Sequence, residues 1–277
     1  MFDNPFKKRE LIATCIFSTV IILGLIFFYS LNTATKIVFC DVGQGDATYI
    51  RIKNKIDILI DSGPNNKILA CLGKYMPFYD RTIELAILTH HHKDHYGGFS
   101  YLIDRYQINL FINSRGNNTP SFQALLDKIT KKTKVQYLTA GHTLILLNNK
   151  LTFYWPTNGK QIHENDNSII FLLENLSTNP KQVFKALFTG DASSTILNQI
   201  KLNNVFNIDI LKIPHHGSKS GLSKKILQLA KPRVAVISVG KNNSFGHPNQ
   251  EVLETLKALN IKIRRTDIDG DVVFTFP

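Results

Sequence analysis

A chain of 277 residues with 43% hydrophobic and 19% charged residues can build an ordinary folded core, which excludes disorder as its default state. The formal net charge of +12 fits an anionic partner (nucleic acid, an anionic polymer or a lipid surface) and equally a lysine-rich proteome. Cys15, Cys40 and Cys71 form no C-x-x-C pair, which excludes a zinc knuckle or a thioredoxin-like site, and they are expected as free thiols packing as small hydrophobes.

Residues 1–10 include Lys7, Lys8 and Arg9, which precede an uncharged stretch from Leu11 to Leu31. About 20 apolar residues span a bilayer as a helix, and basic residues before the span place the amino terminus in the cytoplasm. No small-x-small cleavage pattern is evident near Asn32 to Thr35, so an uncleaved signal anchor is expected, with the remainder of the chain outside a cell membrane crossed once.

After Thr35 the pattern changes. Lys36–Cys40 and Ala47–Ile52 read as strands around the turn Gly43-Gln44-Gly45-Asp46, and Ile56–Ile60 as a third that ends in Asp61-Ser62-Gly63-Pro64. A helix over Lys67–Tyr75 precedes a strand over Glu84–Thr89. A helix from Gly97 to Tyr106, a strand Ile108–Asn113 and a helix Ser121–Lys132 capped by Ser121 follow. Strands are expected at Val135–Leu138, Thr143–Leu147, Leu151–Trp155, Ser168–Glu174, Val183–Thr189, Ile208–Ile213 and Val234–Val239. Helices are expected at Ser193–Leu202, Ser223–Ala230 and Gln250–Asn260. Ile261–Phe276 reads as a hairpin turned at Asp269-Gly270. Two similar halves suggest two packed sheets with helices outside, in one domain over residues 36–277.

Three strands end in metal-ligand residues. His90, His92, Asp94 and His95 follow the apolar run Leu85–Leu88 in the pattern His-x-His-x-Asp-His. Neutral imidazoles and carboxylates at such spacing hold zinc, manganese or iron. Asp191 follows a second strand, and His215 and His216 a third. The spacing lets His90 and His92 serve one cation and Asp94, His95 and His215 another, with Asp191 between them. Ser218, Lys219, Ser220 and His247 fall on the expected rim, where they could hold phosphate oxygens or move a proton, or merely be polar loop.

These segments resemble the metallo-β-lactamase superfamily, and more closely the carboxy-terminal domain of ComEC-type DNA-uptake proteins. The stretches that carry the resemblance are Asp41–Asp46, Asp61–Pro64, the His90 cluster, Asn165–Ser168, Thr189–Asp191, His215–Ser218, Gly246–Pro248 and Arg265–Asp267. The resemblance implies an α/β fold, an αββα four-layer sandwich, and a hydrolase with two divalent metal ions, Zn or Mn. It gives Asp94 and Asp191 catalytic as well as ligand roles, and has Asp61 brace the histidine loop by hydrogen bonding. Many members take a third histidine from a Gly-His-Thr-Pro-Gly-like segment. Here Gly141-His142-Thr143 runs into Leu144, so His142 is read as the start of a surface strand. Asn165-Asp166-Asn167-Ser168 takes that place, which leaves the first site poor in nitrogen and favours manganese; Asn167 and His216 are candidate ligands or supports.

The reading that follows is a membrane-tethered phosphodiesterase acting on DNA within an uptake machinery. One alternative is a phosphodiesterase of an envelope substrate, of the phosphocholine or teichoic acid type. Another is a non-catalytic DNA-binding partner using Lys131, Lys132, Lys134, Lys224, Lys225, Arg264 and Arg265. A β-lactam hydrolase is disfavoured by the missing histidine. A polytopic channel is missing from the sequence, so the chain is not expected to be the pore itself.

Overall fold

The computed structural model describes residues 5–30, 34–116, 118–157, 164–180, 182–201 and 207–277. The expected helix ends at Leu31 and Leu202 lie outside them. Helix α1 (Pro5–Ser30) contains an apolar stretch, Lys7–Phe27, with a mean hydropathy of 2.3. Its apolar side chains, Leu11, Ile16, Phe17, Val20 and Leu23 among them, stay exposed. A helix apolar all round and long enough to cross a bilayer is what one membrane span requires.

The rest forms two seven-stranded sheets. The first half supplies β1 (Thr35–Phe39), β2 (Thr48–Ile52), β3 (Ile56–Ile60), α2 (Lys67–Tyr75), β4 (Thr82–Leu88), α3 (Lys93–Tyr96), α4 (Phe99–Leu102), β5 (Gln107–Asn113), α5 (Pro120–Thr130) and β6 (Lys134–Gln136). The second supplies β7 (Thr143–Leu146), β8 (Asn149–Trp155), β9 (Ile170–Asn175), β10 (Lys185–Phe188), α6 (Ser194–Gln199), β11 (Ile210–Lys212), α7 (Lys224–Ala230), β12 (Val234–Ile237), α8 (Gln250–Ala258), β13 (Lys262–Arg265), α9 (Thr266–Asp269) and β14 (Val272–Phe276). Strand orders are β14-β1-β2-β3-β4-β5-β6 and β13-β12-β11-β10-β9-β8-β7.

Side-chain alternation with period two builds the layers. Ile37, Phe39, Ile50, Ile58, Leu85 and Ile87 face Phe153, Phe171, Leu173, Phe188 and Ile210 across the middle of the sandwich. The alternate residues Val38, Tyr49, Leu59 and Ala86 pack outward on Ile68 and Leu72 of α2 and Phe122 and Leu126 of α5. Leu172, Leu187, Leu211 and Ala235 likewise meet Ile196, Ile226, Val252 and Leu256 of α6, α7 and α8. The result is the expected αββα sandwich.

Three expectations are corrected. The carboxy-terminal hairpin does not form: β13 runs parallel to β12 in one sheet, while β14 pairs antiparallel with β1 in the other. Pairing of the first and last strands of the domain completes the first sheet, a long-range contact that a local turn signal at Asp269-Gly270 cannot convey. Helix α5 is capped by Thr119, whose hydroxyl accepts from the Phe122 N–H at 3.3 Å, and Pro120 rather than Ser121 opens the helix.

Cys40 and Cys71 are not free; they form a disulfide across a separation of 31 residues, with Cα atoms 5.9 Å apart. Cys40 follows β1 and Cys71 lies on the α2 face that covers it, a tertiary juxtaposition invisible in the linear spacing. Closing a loop of this size stabilises by about 4 kcal/mol in the chain-entropy model. Cys40→Ala with Cys71→Ala is expected to lower the unfolding free energy by about 2–4 kcal/mol, read by urea denaturation; an unchanged midpoint would refute it.

Candidate metal centre

The donors gather where β3, β4, β10 and β11 end, at one edge of the sandwich. The β4–α3 turn carries His90 to His95, with His92 as the N-cap of α3. Asp61, just after β3 and at a left-handed φ of 55°, braces it. Its carboxylate accepts from the Thr89 N–H and hydroxyl, both at 2.8 Å, and from His95 Nδ1 at 2.9 Å. That bond fixes the His95 ring and leaves Nε2 facing the cluster, the carboxylate–histidine arrangement common behind metal ligands.

Asp191 sits in the middle. Its Oδ2 lies 3.3 Å from His95 Nε2, 3.4 Å from His216 Nε2 and 3.8 Å from His90 Nε2. Ser168 holds this loop, its Oγ accepting from the Asp191 N–H at 2.9 Å. Asp94 Oδ2 is 3.1 Å from His216 Nε2. Four sets of donors here have their ligand atoms within 4.8 Å of one another and could each hold a cation: His90/His95/Asp191, Asp94/His95/His216, Asp46/Asp191/His216 and Asp46/Asp61/His95, the last of which is already engaged by the Asp61–His95 bond. His90 Nε2 and His95 Nε2 are buried and make no hydrogen bond among the described residues, as lone pairs meant for a cation would be. The donor set fits divalent metal.

The two histidines after β11 are placed differently from the sequence expectation. His216, not His215, joins the clustered donors. His215 and His216 both take left-handed backbone, φ 50° and 54°, which breaks strand alternation and turns the second ring inward. His216 Nδ1 then donates to the Ser238 carbonyl at 2.9 Å. His215 stays on the rim with Nδ1 3.2 Å from the Ser220 hydroxyl. Gly217 at φ 81° is required, because a Cβ there would lie 2.6 Å from Pro248 Cβ.

Other expected residues are dispersed around this centre. The His92 ring packs against that of His90, centroids 4.7 Å apart, but its Nε2 meets Glu164 Oε2 at 3.1 Å. His92, Asp94, Asp191, His215, His216 and His247 line one open cavity of about 640 Å³. Ser218 and Ser220 hydroxyls bond each other at 2.9 Å, and Lys219 turns away to Glu251 at 2.7 Å. Asn167 is buried and lines a cavity together with His91, Asn113 and Ser114. His142 is exposed and bonded to the Thr139 carbonyl at 2.9 Å. Among the basic residues, Lys132, Arg264 and Arg265 are paired with Asp104, Asp269 and Asp267.

Asp46 and Lys212 were missed by sequence reasoning. Lys212, the last residue of β11, is buried and its Nζ contacts Asp46 Oδ2, lies 3.5 Å from Asp191 Oδ1 and donates to the Gly190 carbonyl at 2.9 Å. A lysine closing an apolar strand, three residues ahead of the histidine pair, was the available signal. Asp46 also approaches His216 Nδ1 at 3.3 Å. Removing one member of a buried ion pair strands the other, so Lys212→Met is expected to destabilise the metal-free protein by about 3–5 kcal/mol. Asp46→Asn added to Lys212→Met should recover part of that loss in a denaturation cycle; no recovery would contradict the pairing.

The electrostatics follow from these contacts. Burial alone would raise the Asp191 carboxyl, but His216, His95 and Lys212 outweigh it and hold it well below the ordinary value. Burial opposes charge on His216 too, yet Asp191 and Asp46 lift it to about 10. His95 is raised against burial by Asp191, Asp61 and Asp94, whereas burial and then His95 depress His90. Without metal, protons on His95 and His216 therefore stand in for cations among the carboxylates. A ligand imidazole must be neutral, so metal uptake displaces these protons. Affinity for a divalent ion is expected to rise with pH toward about 10, the His216 value, with on the order of one to two protons released per chain at pH 7. Calorimetry in buffers of different ionisation enthalpy measures this; uptake without proton release would contradict it.

This sandwich with metal-type donors at its strand ends is the metallo-β-lactamase fold, and residues 40–132 match the metallo-beta-lactamase superfamily model. A solved metallo-beta-lactamase fold protein, YhfI of Bacillus subtilis, superposes with a TM-score of 0.55 at 14% identity, covering 88% of this chain and 99% of that one. Among curated proteins, the chain is 25% identical to ComE operon protein 3 of Bacillus subtilis, over 92% of this chain and 35% of that protein. It is 29% identical to Recombination protein 2 of Haemophilus influenzae, over 99% of this chain and 33% of that protein. It is also 24% identical to Competence protein ComA of Neisseria gonorrhoeae, over 84% of this chain and 31% of that protein. The chain thus spans about a third of the length of these relatives, and the resemblance to ComEC-type proteins holds.

Proposed function

We propose that this chain is a membrane-tethered, extracytoplasmic, metal-dependent hydrolase that cleaves phosphodiesters of DNA. The convergence of His90, Asp94, His95, Asp191 and His216 on one buried cluster carries the reading. Two divalent cations, held by these donors with His92 beside them, would supply an activated water at neutral pH and neutralise charge on phosphorus-bound oxygens.

The chain's own residues supply the positioning. Asp61 and the Ser238 carbonyl lock the His95 and His216 rings, and Lys212 engages one oxygen of Asp191 so that the other faces the ring nitrogens. The open cavity admits a strand of substrate, with His215 and His247 in its lining; Ser220 bonds His215, and Ser218 bonds Ser220. Burial, with nearby imidazoles, lowers both His215 and His247, so each is neutral near pH 7 and can donate from one nitrogen and accept at the other.

Four observations support DNA and an outside location. The chain has an excess of positive charge, and one relative is named for recombination. Lys7, Lys8 and Arg9 precede the apolar helix, which favours an inside amino terminus. The Cys40–Cys71 disulfide suits an oxidising compartment.

The test is a substrate panel on the full chain in detergent with Mn²⁺ or Zn²⁺. It compares single- and double-stranded DNA, bis-p-nitrophenyl phosphate and a phosphocholine ester. DNA cleavage abolished by chelation is expected. Turnover of the choline ester alone would move the assignment to an envelope substrate, and DNA binding without any cleavage would make the chain a binding partner.

A further inference from the structure

A second cavity, of about 360 Å³, is lined by His91 of the histidine loop and by Asn113, Ser114, Arg115, Tyr137 and Asn167. It is close to the metal centre through two chain connections. His91 sits between His90 and His92, and Asn167 precedes Ser168, which holds the Asp191 loop. Its volume is within the ~300–1,000 Å³ typical of small-molecule sites.

The lining has a definite chemistry. Asn113 and Ser114 are each 1% exposed, yet Asn113 Nδ2 and Ser114 Oγ make no hydrogen bond among the described residues. Buried donors left in this way are costly in a finished core and are expected where a ligand completes them. His91 is not their partner at these atoms; its Nε2 donates instead to Asn113 Oδ1 and the Ser114 carbonyl, both at 3.0 Å. That bond, with Phe122 stacked at 4.2 Å, makes His91 a fixed wall rather than a metal ligand. Tyr137 is 44% exposed at the cavity, a ring face open for stacking, and Arg115 brings a cation. No carboxylate is among the described lining residues.

We propose that this cavity is a nucleoside subsite: it takes the base and sugar next to the phosphodiester presented to the metal centre. The base stacks on Tyr137, its polar edge meets Asn113 Nδ2 and Ser114 Oγ, and Arg115 faces the adjoining phosphate. Arg115 and the lack of carboxylates disfavour a choline headgroup, which needs an anionic or aromatic cage. The inference rests on the phosphodiesterase reading and names which substrate class that site selects.

Two assays on the full chain in detergent test it. In the first, binding of thymidine 5′-monophosphate is compared with binding of inorganic phosphate, for the wild type, Tyr137→Ala and Ser114→Ala. The nucleotide is expected to bind wild type at least about tenfold more tightly than phosphate, and Tyr137→Ala to erase most of that advantage, since base–aromatic stacking is worth about five- to a hundredfold. In the second, the ratio of kcat/KM for the dinucleotide thymidylyl-thymidine to that for bis-p-nitrophenyl phosphate should fall about tenfold in Tyr137→Ala, mainly through KM. Equal binding of nucleotide and phosphate, or an unchanged ratio in both variants, overturns the subsite while leaving the hydrolase reading intact. Loss of all hydrolysis in wild type sinks the hydrolase reading instead, and the binding assay still decides the subsite.

Discussion

Asp191→Asn is expected to lower phosphodiester hydrolysis at least about a thousandfold, about 4 kcal/mol of transition-state stabilisation, and to reduce bound metal. The reason is its central position. One carboxylate oxygen lies within 3.8 Å of three imidazole nitrogens from two separate loops, and the other faces Lys212. An amide keeps the shape but loses the charge that lets one side chain serve two cations. The fold should survive, because Lys212 keeps Asp46 as a partner. Turnover of bis-p-nitrophenyl phosphate, elemental analysis and a melting curve measure the three parts. Activity within about threefold of wild type in a folded Asp191→Asn protein would remove this residue from the centre.

The second large effect separates adjacent histidines. His216→Ala should cost about a thousandfold in hydrolysis and lower the metal content, while His215→Ala should cost about tenfold with metal content retained. His216 is buried with Nε2 among the oxygens of Asp94 and Asp191. His215 touches Ser220 and the open cavity. Equal losses of metal in the two variants, or a larger loss in His215→Ala, would restore the order that the linear pattern suggests.

That contrast marks how far the sequence could be read. Strands ending in His90–His95, Gly190-Asp191 and His215-His216 were legible because chance seldom stops three apolar runs at metal-ligand residues. The layers were legible from alternation, as in Ile37/Val38/Phe39 facing opposite cores. Which histidine turns inward was not, because two consecutive left-handed residues invert strand parity and nothing in the side chains announces them. Asp46 and Lys212 were hidden for another reason. Each is unremarkable alone, and only the packing of the two sheet edges brings the Gly45-Asp46 turn against the end of β11. The Cys40–Cys71 bridge and the β14–β1 pairing share that cause: both join distant segments through tertiary structure. His92 gave a ligand signal from its spacing, and its turn toward Glu164 could not be read from that pattern.

The most direct test of the central claim is metal analysis of the purified full chain coupled to a cleavage assay on single- and double-stranded DNA. Two divalent ions per chain are expected, with DNA cleavage that disappears on chelation and returns with Mn²⁺ or Zn²⁺, and with metal content reduced and cleavage lowered at least about a thousandfold in Asp191→Asn. A folded chain that binds no divalent ion, or one that holds two and cleaves no phosphodiester, would contradict it.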